Sequence, residues 1–348
     1  MTGLAPEEFR PETTFLNTAS YGLPPARALD ARRGVIEAWA AGRSTPGDHD
    51  GLVDEVRAGF ARLLPGAAAA DVSVQSGVAP ALAAVVAALP TGAEVLTAAG
   101  EFGSLSAPFV HRGDLSVRFV PLERLVDEVR PTTALVAVSV VQSADGRVVD
   151  LDLLAAAARA HGARVLVDAT QALGWLPLRF SSADYWVCGT FKWLLGARSV
   201  AFFAVAPEVR DELVPVAPGW YAAADKWSEM YAPARLADTA RRFDTTPDWL
   251  GVVETAAGLS LIEELGPPAI GAHDLALAAR FRAGLAELGY APVPAESAIV
   301  AVPGAEAAAG RLYESGVIAS PRAGNLRFSF HLYNTTGDVD RALETLAA

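Results

Sequence analysis

From residue 72 to residue 205 the chain alternates short apolar runs with amphipathic stretches. The runs at 72–74, 94–97, 115–120, 134–141, 164–167, 185–188 and 200–205 predict strands, and the stretches at 80–89, 122–129 and 151–161 predict helices. Asp150 is placed to cap the last of these. The run 134–141 is almost entirely apolar and β-branched, as a strand covered on both faces must be. This alternation predicts a doubly wound, mostly parallel sheet.

The flanks have a different rhythm. Residues 15–25 mix turn formers with apolar side chains and read as an irregular arm. Helices are predicted at 27–39 and 52–64, separated by a break at 42–51. Beyond Ala206, the segment 215–248 is rich in Pro, Trp, Tyr and Arg and long for a connection. A helix at 249–265 ends at Gly266-Pro267-Pro268, and another is predicted at 273–288. Strands at 298–302 and 326–330 then alternate with helices at 305–315 and 337–346. The expected division is an arm and helix at 1–40 joining the small domain, a large domain at 41–248 with an interface segment at 215–248, and a small α+β domain at 249–348.

Composition narrows the function. The 348 residues carry a net charge of −12, which argues against a general binder of nucleic-acid backbones. A single cysteine, Cys188, excludes a disulfide framework within the chain and a cysteine-based zinc cluster. The five histidines are scattered without ligand spacing, so no metal site is expected. The first ten residues lack the pattern of a leader, and the longest apolar runs, such as 79–89, are too short to span a bilayer. A cytoplasmic protein without a membrane partner is the expectation.

In an open α/β sheet, ligands bind beyond the carboxyl ends of the strands. The segments there hold Gln75-Ser76-Gly77-Val78, the run 98–104 with Phe102, Gln142-Ser143, Asp168 to Gln171, and Gly189 to Lys192. Neither a Gly-x-Gly-x-x-Gly turn after a strand nor a Gly-x4-Gly-Lys-Ser/Thr loop is present. Ser76-Gly77 before a helix could bind one phosphate, or nothing. Asp168 closes an apolar strand and is either a helix cap or a site acid. Lys192 lies in the apolar stretch Thr190-Phe191-Lys192-Trp193-Leu194-Leu195-Gly196 and is either snorkelling or used chemically.

Those residues carry a resemblance. The run 165–174 with Asp168 and Gln171, then Asp184, then Gly189 to Gly196 around Lys192, resembles the class V, cysteine-desulfurase-like group of fold-type I pyridoxal-phosphate enzymes. A second match is Arg327-Phe328-Ser329 with Tyr333-Asn334-Thr335, Asp338 and Asp340. Shorter matches lie at 15–20, 101–104 and 243–247. Together they span nearly the whole chain in order.

The resemblance implies a large domain with a mostly parallel sheet, a smaller α+β domain, and pyridoxal 5'-phosphate as cofactor. Lys192 would carry the cofactor as an aldimine and shuttle the proton at the substrate α-carbon. Asp168 would pair with the pyridine nitrogen, Gln171 with the phenolic oxygen, and Phe102 would stack on the ring unless it is a core aromatic. Ser76, Gly77 and Val78 would hold the phosphate, with further contacts from Thr190 and Gln142. Thr246 would reach the phosphate of a partner subunit in a homodimer. Arg327 would clamp the substrate carboxylate, with Arg322 as a second candidate, and Asn17 and Ser20 would add contacts.

The departures are specific. Gly196-Ala197-Arg198-Ser199 replaces the usual Gly-Pro-x-Gly, Phe191 stands where relatives carry histidine, and the phosphate loop lacks Thr-Thr. The region around Arg322 has no cysteine, and Cys188 is expected inside a strand. A persulfide-forming desulfurase is therefore disfavoured. The expected activity is aminotransferase-like, acting on an α-amino acid through Cα deprotonation. A C–S or β-lyase and an epimerase are the alternatives, and a non-catalytic fold relative is the alternative of another class.

Overall fold

A computed structural model describes residues 1–231 and 235–348, so residues 232–234 of the expected interface segment lie outside the described residues. In chain order the elements are β1 (Thr14–Phe15), α1 (Ala26–Ala40), α2 (Asp50–Leu63), β2 (Val72–Gln75), α3 (Val78–Ala81), α4 (Ala83–Ala88), β3 (Glu94–Ala98) and α5 (Gly103–Arg112). There follow β4 (Ser116–Val120), β5 (Thr133–Ser139), α6 (Leu151–His161), β6 (Arg164–Asp168), β7 (Tyr185–Gly189), β8 (Ala201–Val205) and α7 (Pro207–Arg210). The chain ends with α8 (Trp249–Leu265), α9 (Pro267–Glu287), β9 (Ile299–Pro303), α10 (Ala309–Glu314), β10 (Val317–Ile318), β11 (Ser320–Arg322), β12 (Asn325–Ser329) and α11 (Thr336–Ala347).

The large sheet has the order β2-β8-β7-β6-β5-β3-β4. Its pairs are parallel except where β8 runs antiparallel to β2 and β7. The period of two divides its side chains between two cores. Val136, Val138, Val165 and Val167 enter one, while Leu135, Ala137, Leu166 and Val187 enter the other. A third core lies around the antiparallel sheet β11-β12-β9, where Phe281, Phe328 and Phe330 pack.

The arm is less irregular than its sequence suggests. Thr14 and Leu16 donate to Gly316 and Ile318 at 2.9 Å each, making β1 a parallel partner of β10. Ser329 in turn donates to Leu16 at 2.8 Å. A strand of two residues has no readable period, so only this pairing reveals it. The arm then crosses to the large domain, where Gly22 donates to the Phe191 carbonyl at 2.8 Å. A Cβ at Gly22 would sit 2.2 Å from the Lys192 carbonyl, so this approach requires glycine.

Several predicted helices change shape. The one at 80–89 is split into α3 and α4, because Leu82 donates three residues back to Ala79 and tightens the turn. The one at 122–129 shrinks to a single 3₁₀ turn, Leu122–Arg124. Its continuation is stopped by Pro131 and by Arg118, which takes the Glu128 carbonyl. Helix α5 was hidden by Gly103 and by the internal Pro108. Pro267 and Pro268 end α8 and also open α9, whose first turn needs no proline N–H. Asp150 caps α6 as expected, accepting from the Leu153 N–H at 2.9 Å. Among the described residues no helix is long and apolar enough to cross a membrane.

Candidate active site

The segments following the carboxyl ends of the strands, including the loop after β7, line a cavity of about 260 Å³. Asp168 and Lys192 both line it. Asp168 ends β6, is 4% exposed, and accepts from the Thr170 N–H at 2.8 Å. Burial raises its carboxyl to about 6, opposed by the Thr170 hydrogen bonds and the Lys192 charge. Lys192 is 5% exposed, and burial lowers its amine to about 7, the Asp168 charge opposing and the Arg327 and Arg198 charges adding. Among the described residues neither group forms a direct ion pair. A buried amine made less basic by desolvation is a nucleophile near neutral pH.

The loop carrying Lys192 is fixed by its own backbone. The Thr190 hydroxyl donates to the carbonyls of Ala197 at 2.7 Å and Val200 at 2.9 Å. Thr190 is therefore committed to the loop and does not line the cavity, where the resemblance had implied a cofactor contact. Gln142 likewise does not line the cavity. Its amide donates to Glu101 at 3.1 Å and, at 2.9 Å, to the carbonyl of Ser139, itself a lining residue. The neighbouring Ser143, noted at the same strand end but given no role there, lines the cavity. Glu101, also passed over, accepts from the Ser139 N–H and hydroxyl at 2.8 and 2.6 Å and from the Phe102 N–H at 2.7 Å. It thereby holds Phe102, whose ring is 49% exposed and 5.5 Å from the Lys192 ammonium nitrogen. Phe102 is thus a cavity aromatic and not a core one.

Gln171 donates to the Ala19 carbonyl at 3.0 Å and to the Ser143 hydroxyl at 2.9 Å, and its Oε1 is buried with no partner. Arg327 extends the same network. Its guanidinium donates to the Ser143 carbonyl, to the Ser143 hydroxyl at 3.1 Å and to the Ser20 hydroxyl at 2.8 Å. Ser20 donates to Asn17 Oδ1 at 2.8 Å. Arg327 is buried, has no acidic partner among the described residues, and leaves its Nε unpartnered. Burial and then Arg322 lower it to about 10. A buried cation held only by neutral acceptors favours an incoming anion. Arg322 is exposed and donates only to its neighbour's carbonyl at 3.2 Å.

Ser76, Gly77 and Val78 line the cavity, yet α3 beyond them has only four residues. Its aligned dipoles are too few to supply the expected anion-stabilising charge. Thr246 is exposed and does not line this cavity. Cys188 lies in β7, buried, with its thiol pushed well up by desolvation. Among the described residues there is no group of acids, histidines and cysteine able to hold a metal ion.

The family model described as Aminotransferase class-V matches residues 44–342. An uncharacterized aminotransferase, YcbU of Bacillus subtilis (strain 168), is 33% identical over 66% of this chain and 63% of its own. Isopenicillin N epimerase of Streptomyces clavuligerus is 30% identical over 63% of this chain and 61% of its own. Kynureninase of Deinococcus radiodurans is 29% identical over 90% and 82% respectively. The chain thus spans under two thirds of the length of the first two of these relatives. Among solved structures, a complex of the cystine C–S lyase C-DES with cysteine persulfide has a TM-score of 0.88 at 21% identity, covering 97% of each chain. A cysteine desulfurase from Thermococcus onnurineus NA1 has a TM-score of 0.84 at 20% identity, covering 97% of this chain and 94% of its own. The fold is that of the fold-type I pyridoxal-phosphate enzymes, as expected. The expectation that set cysteine desulfuration aside draws no support from these likenesses, since that activity sits on the same fold.

Proposed function

This chain belongs to the class V aminotransferase family of pyridoxal-phosphate-dependent enzymes, and we propose that it acts on an α-amino acid by moving the α-proton through Lys192. The observation that carries the reading is the pairing of a buried, weakly basic Lys192 with a buried Asp168 in one cavity. The donor set suits the cofactor: an amine for its aldehyde, an acid for its ring nitrogen, and hydroxyl and backbone groups at 76–78. Bound there, pyridoxal phosphate supplies a ring that withdraws electrons from the substrate α-carbon.

The chain's own groups do the rest. Asp168 would hold a negative charge for the ring nitrogen. Lys192 takes the α-proton and returns it to a neighbouring atom. Arg327 orients the substrate carboxylate through the Ser20 and Ser143 hydroxyls that already fix its guanidinium. Transamination is the reaction we favour. A lyase and an epimerase would share the first proton transfer and diverge after it. We further propose a homodimer, supported by the exposed Trp39, Val216, Trp227 and Tyr231.

The test is an amino-acid screen on the cofactor-loaded protein. Aminotransfer is expected to show a spectral change with one class of amino acid and release of its keto acid. A protein that takes up no cofactor, or a loaded protein inert to every amino acid, would sink the reading. Asp168→Asn should load cofactor yet turn over about 10²–10³-fold more slowly. Arg327→Ala should raise the amino-acid concentration for half-saturation about 10- to 100-fold, and an unchanged value would remove the clamp.

A further inference from the structure

Resting on the cofactor reading above, we propose that Arg198 supplies the positive charge that holds the cofactor's phosphate group in this chain. Strand β8 pairs antiparallel with β2, with Ala201 opposite Gln75. That pair closes the ladder, so the segment before Ala201 and the segment after Gln75 leave the sheet at the same end. Arg198 lines the same cavity as Ser76, Gly77 and Val78.

The charge balance requires such a group. A phosphate monoester carries about −1.5 to −2 at neutral pH. The groups at 76–78 are neutral, and the four residues of α3 add little dipole. The Thr190 hydroxyl is spent on Ala197 and Val200, and Phe191 has no side-chain donor. Arg327 is held by Ser20 and Ser143, in the network that includes Asn17 and Gln171. Among the residues that line the cavity, Lys192 and Arg198 are the two cations, and Lys192 is committed to the aldehyde.

Arg198 is also prepared for an anion. Its guanidinium lies 5.2 Å from the Phe191 ring centroid and 5.3 Å from that of Tyr21. Both distances are within cation–π range, so the two rings hold the guanidinium in place without using its hydrogen-bond donors. Among the described residues it has neither an acidic partner nor a hydrogen-bond acceptor. Its neighbours anchor the backbone: the Ala197 N–H donates to Thr255 Oγ1 at 3.1 Å, and the Ser199 hydroxyl donates to Asp248 at 2.6 Å.

The experiment compares two ligands on cofactor-free protein. Wild type and Arg198→Gln are titrated with pyridoxal 5'-phosphate and with pyridoxal, which lacks the phosphate, and binding is read by absorbance. The variant should lose about 10- to 100-fold in affinity for the phosphorylated form and little for pyridoxal. Inorganic phosphate should compete with the phosphorylated form on wild type more strongly than on the variant. Arg198→Lys should recover part of the loss. The side chain is exposed, so equal melting temperatures are expected for the cofactor-free proteins. An unchanged ratio between the two ligands in Arg198→Gln overturns the proposal. So does a variant with that ratio intact but impaired binding of amino acids with anionic side chains, which would assign Arg198 to the substrate. Wild type that binds neither ligand would instead overturn the cofactor reading itself.

Discussion

Lys192→Ala is expected to abolish the visible absorbance of the cofactor-loaded protein and to lower turnover at least about a thousandfold. Borohydride should fix the cofactor to the peptide containing Lys192 in wild type and to no peptide in the variant. The same side chain predicts a pH dependence. Burial lowers its amine from the usual lysine value to about 7. The reactive species is the neutral amine, which dominates above that value. Uptake of the aldehyde by cofactor-free protein should therefore accelerate as pH rises through about 7 and level off above it. An uptake rate still climbing steeply between pH 9 and 10 would mean that the amine is not desolvated.

Asp244→Ala is expected to cost about 3–5 kcal/mol of stability. Asp244 is 1% exposed and accepts from both Arg57 Nη atoms, at 2.8 and 3.3 Å, and from the Val74 N–H at 2.9 Å. Arg57 is equally enclosed and also donates to the Val72 carbonyl. Removing the acid leaves a buried guanidinium and a strand N–H without their partner. The melting temperature should fall on the order of 10 °C. Asp152→Ala is the control. Its ion pair with Arg179 is formed by side chains 70% and 67% exposed, so a change within about 0.5 kcal/mol is expected. Equal melting shifts for the two variants would remove the argument. The pair also matters to the site. It fastens the segment carrying Phe243 to β2, whose carboxyl end leads into Ser76 and Gly77, and Gln75 reinforces the tie by donating to the Phe243 carbonyl.

Asp168 and Lys192 were legible because each breaks a strong local pattern. One is a charge closing an apolar strand, and the other is a charge inside an apolar loop. Their neighbours gave no such signal. Gln142 and Ser143 are adjacent polar residues after the same strand, and nothing in the letters says which faces the cavity. The tertiary answer depends on Glu101, a residue 41 positions away, which takes the Gln142 amide. Thr190 presents the same difficulty. A hydroxyl two residues before the lysine suits a ligand, but the return of the chain at Ala197 and Val200 brings two carbonyls that need donors. Arg198 carries a charge in a turn with no local signal, and only the folded chain brings it to the cavity that Ser76 also lines.

By itself the sequence determined the alternation of strand and helix, the mostly parallel sheet, the absence of a disulfide framework, and the acid and lysine at the strand ends. These follow from local periodicity and from the cost of placing a charge in an apolar run, and both are written residue by residue. Only the tertiary structure decided which polar side chains remain free for a ligand. Each buried donor or acceptor satisfies itself on whatever backbone or side chain packs against it, however distant in the chain. The arm shows this most plainly. Residues 14–22 carry no hydrophobic periodicity, yet β1 joins β10, Gly22 meets the Phe191 carbonyl, and Ser20 meets Arg327. Contacts made across some 300 residues complete the site, and their geometry comes from the packing of the two lobes, which no local pattern contains.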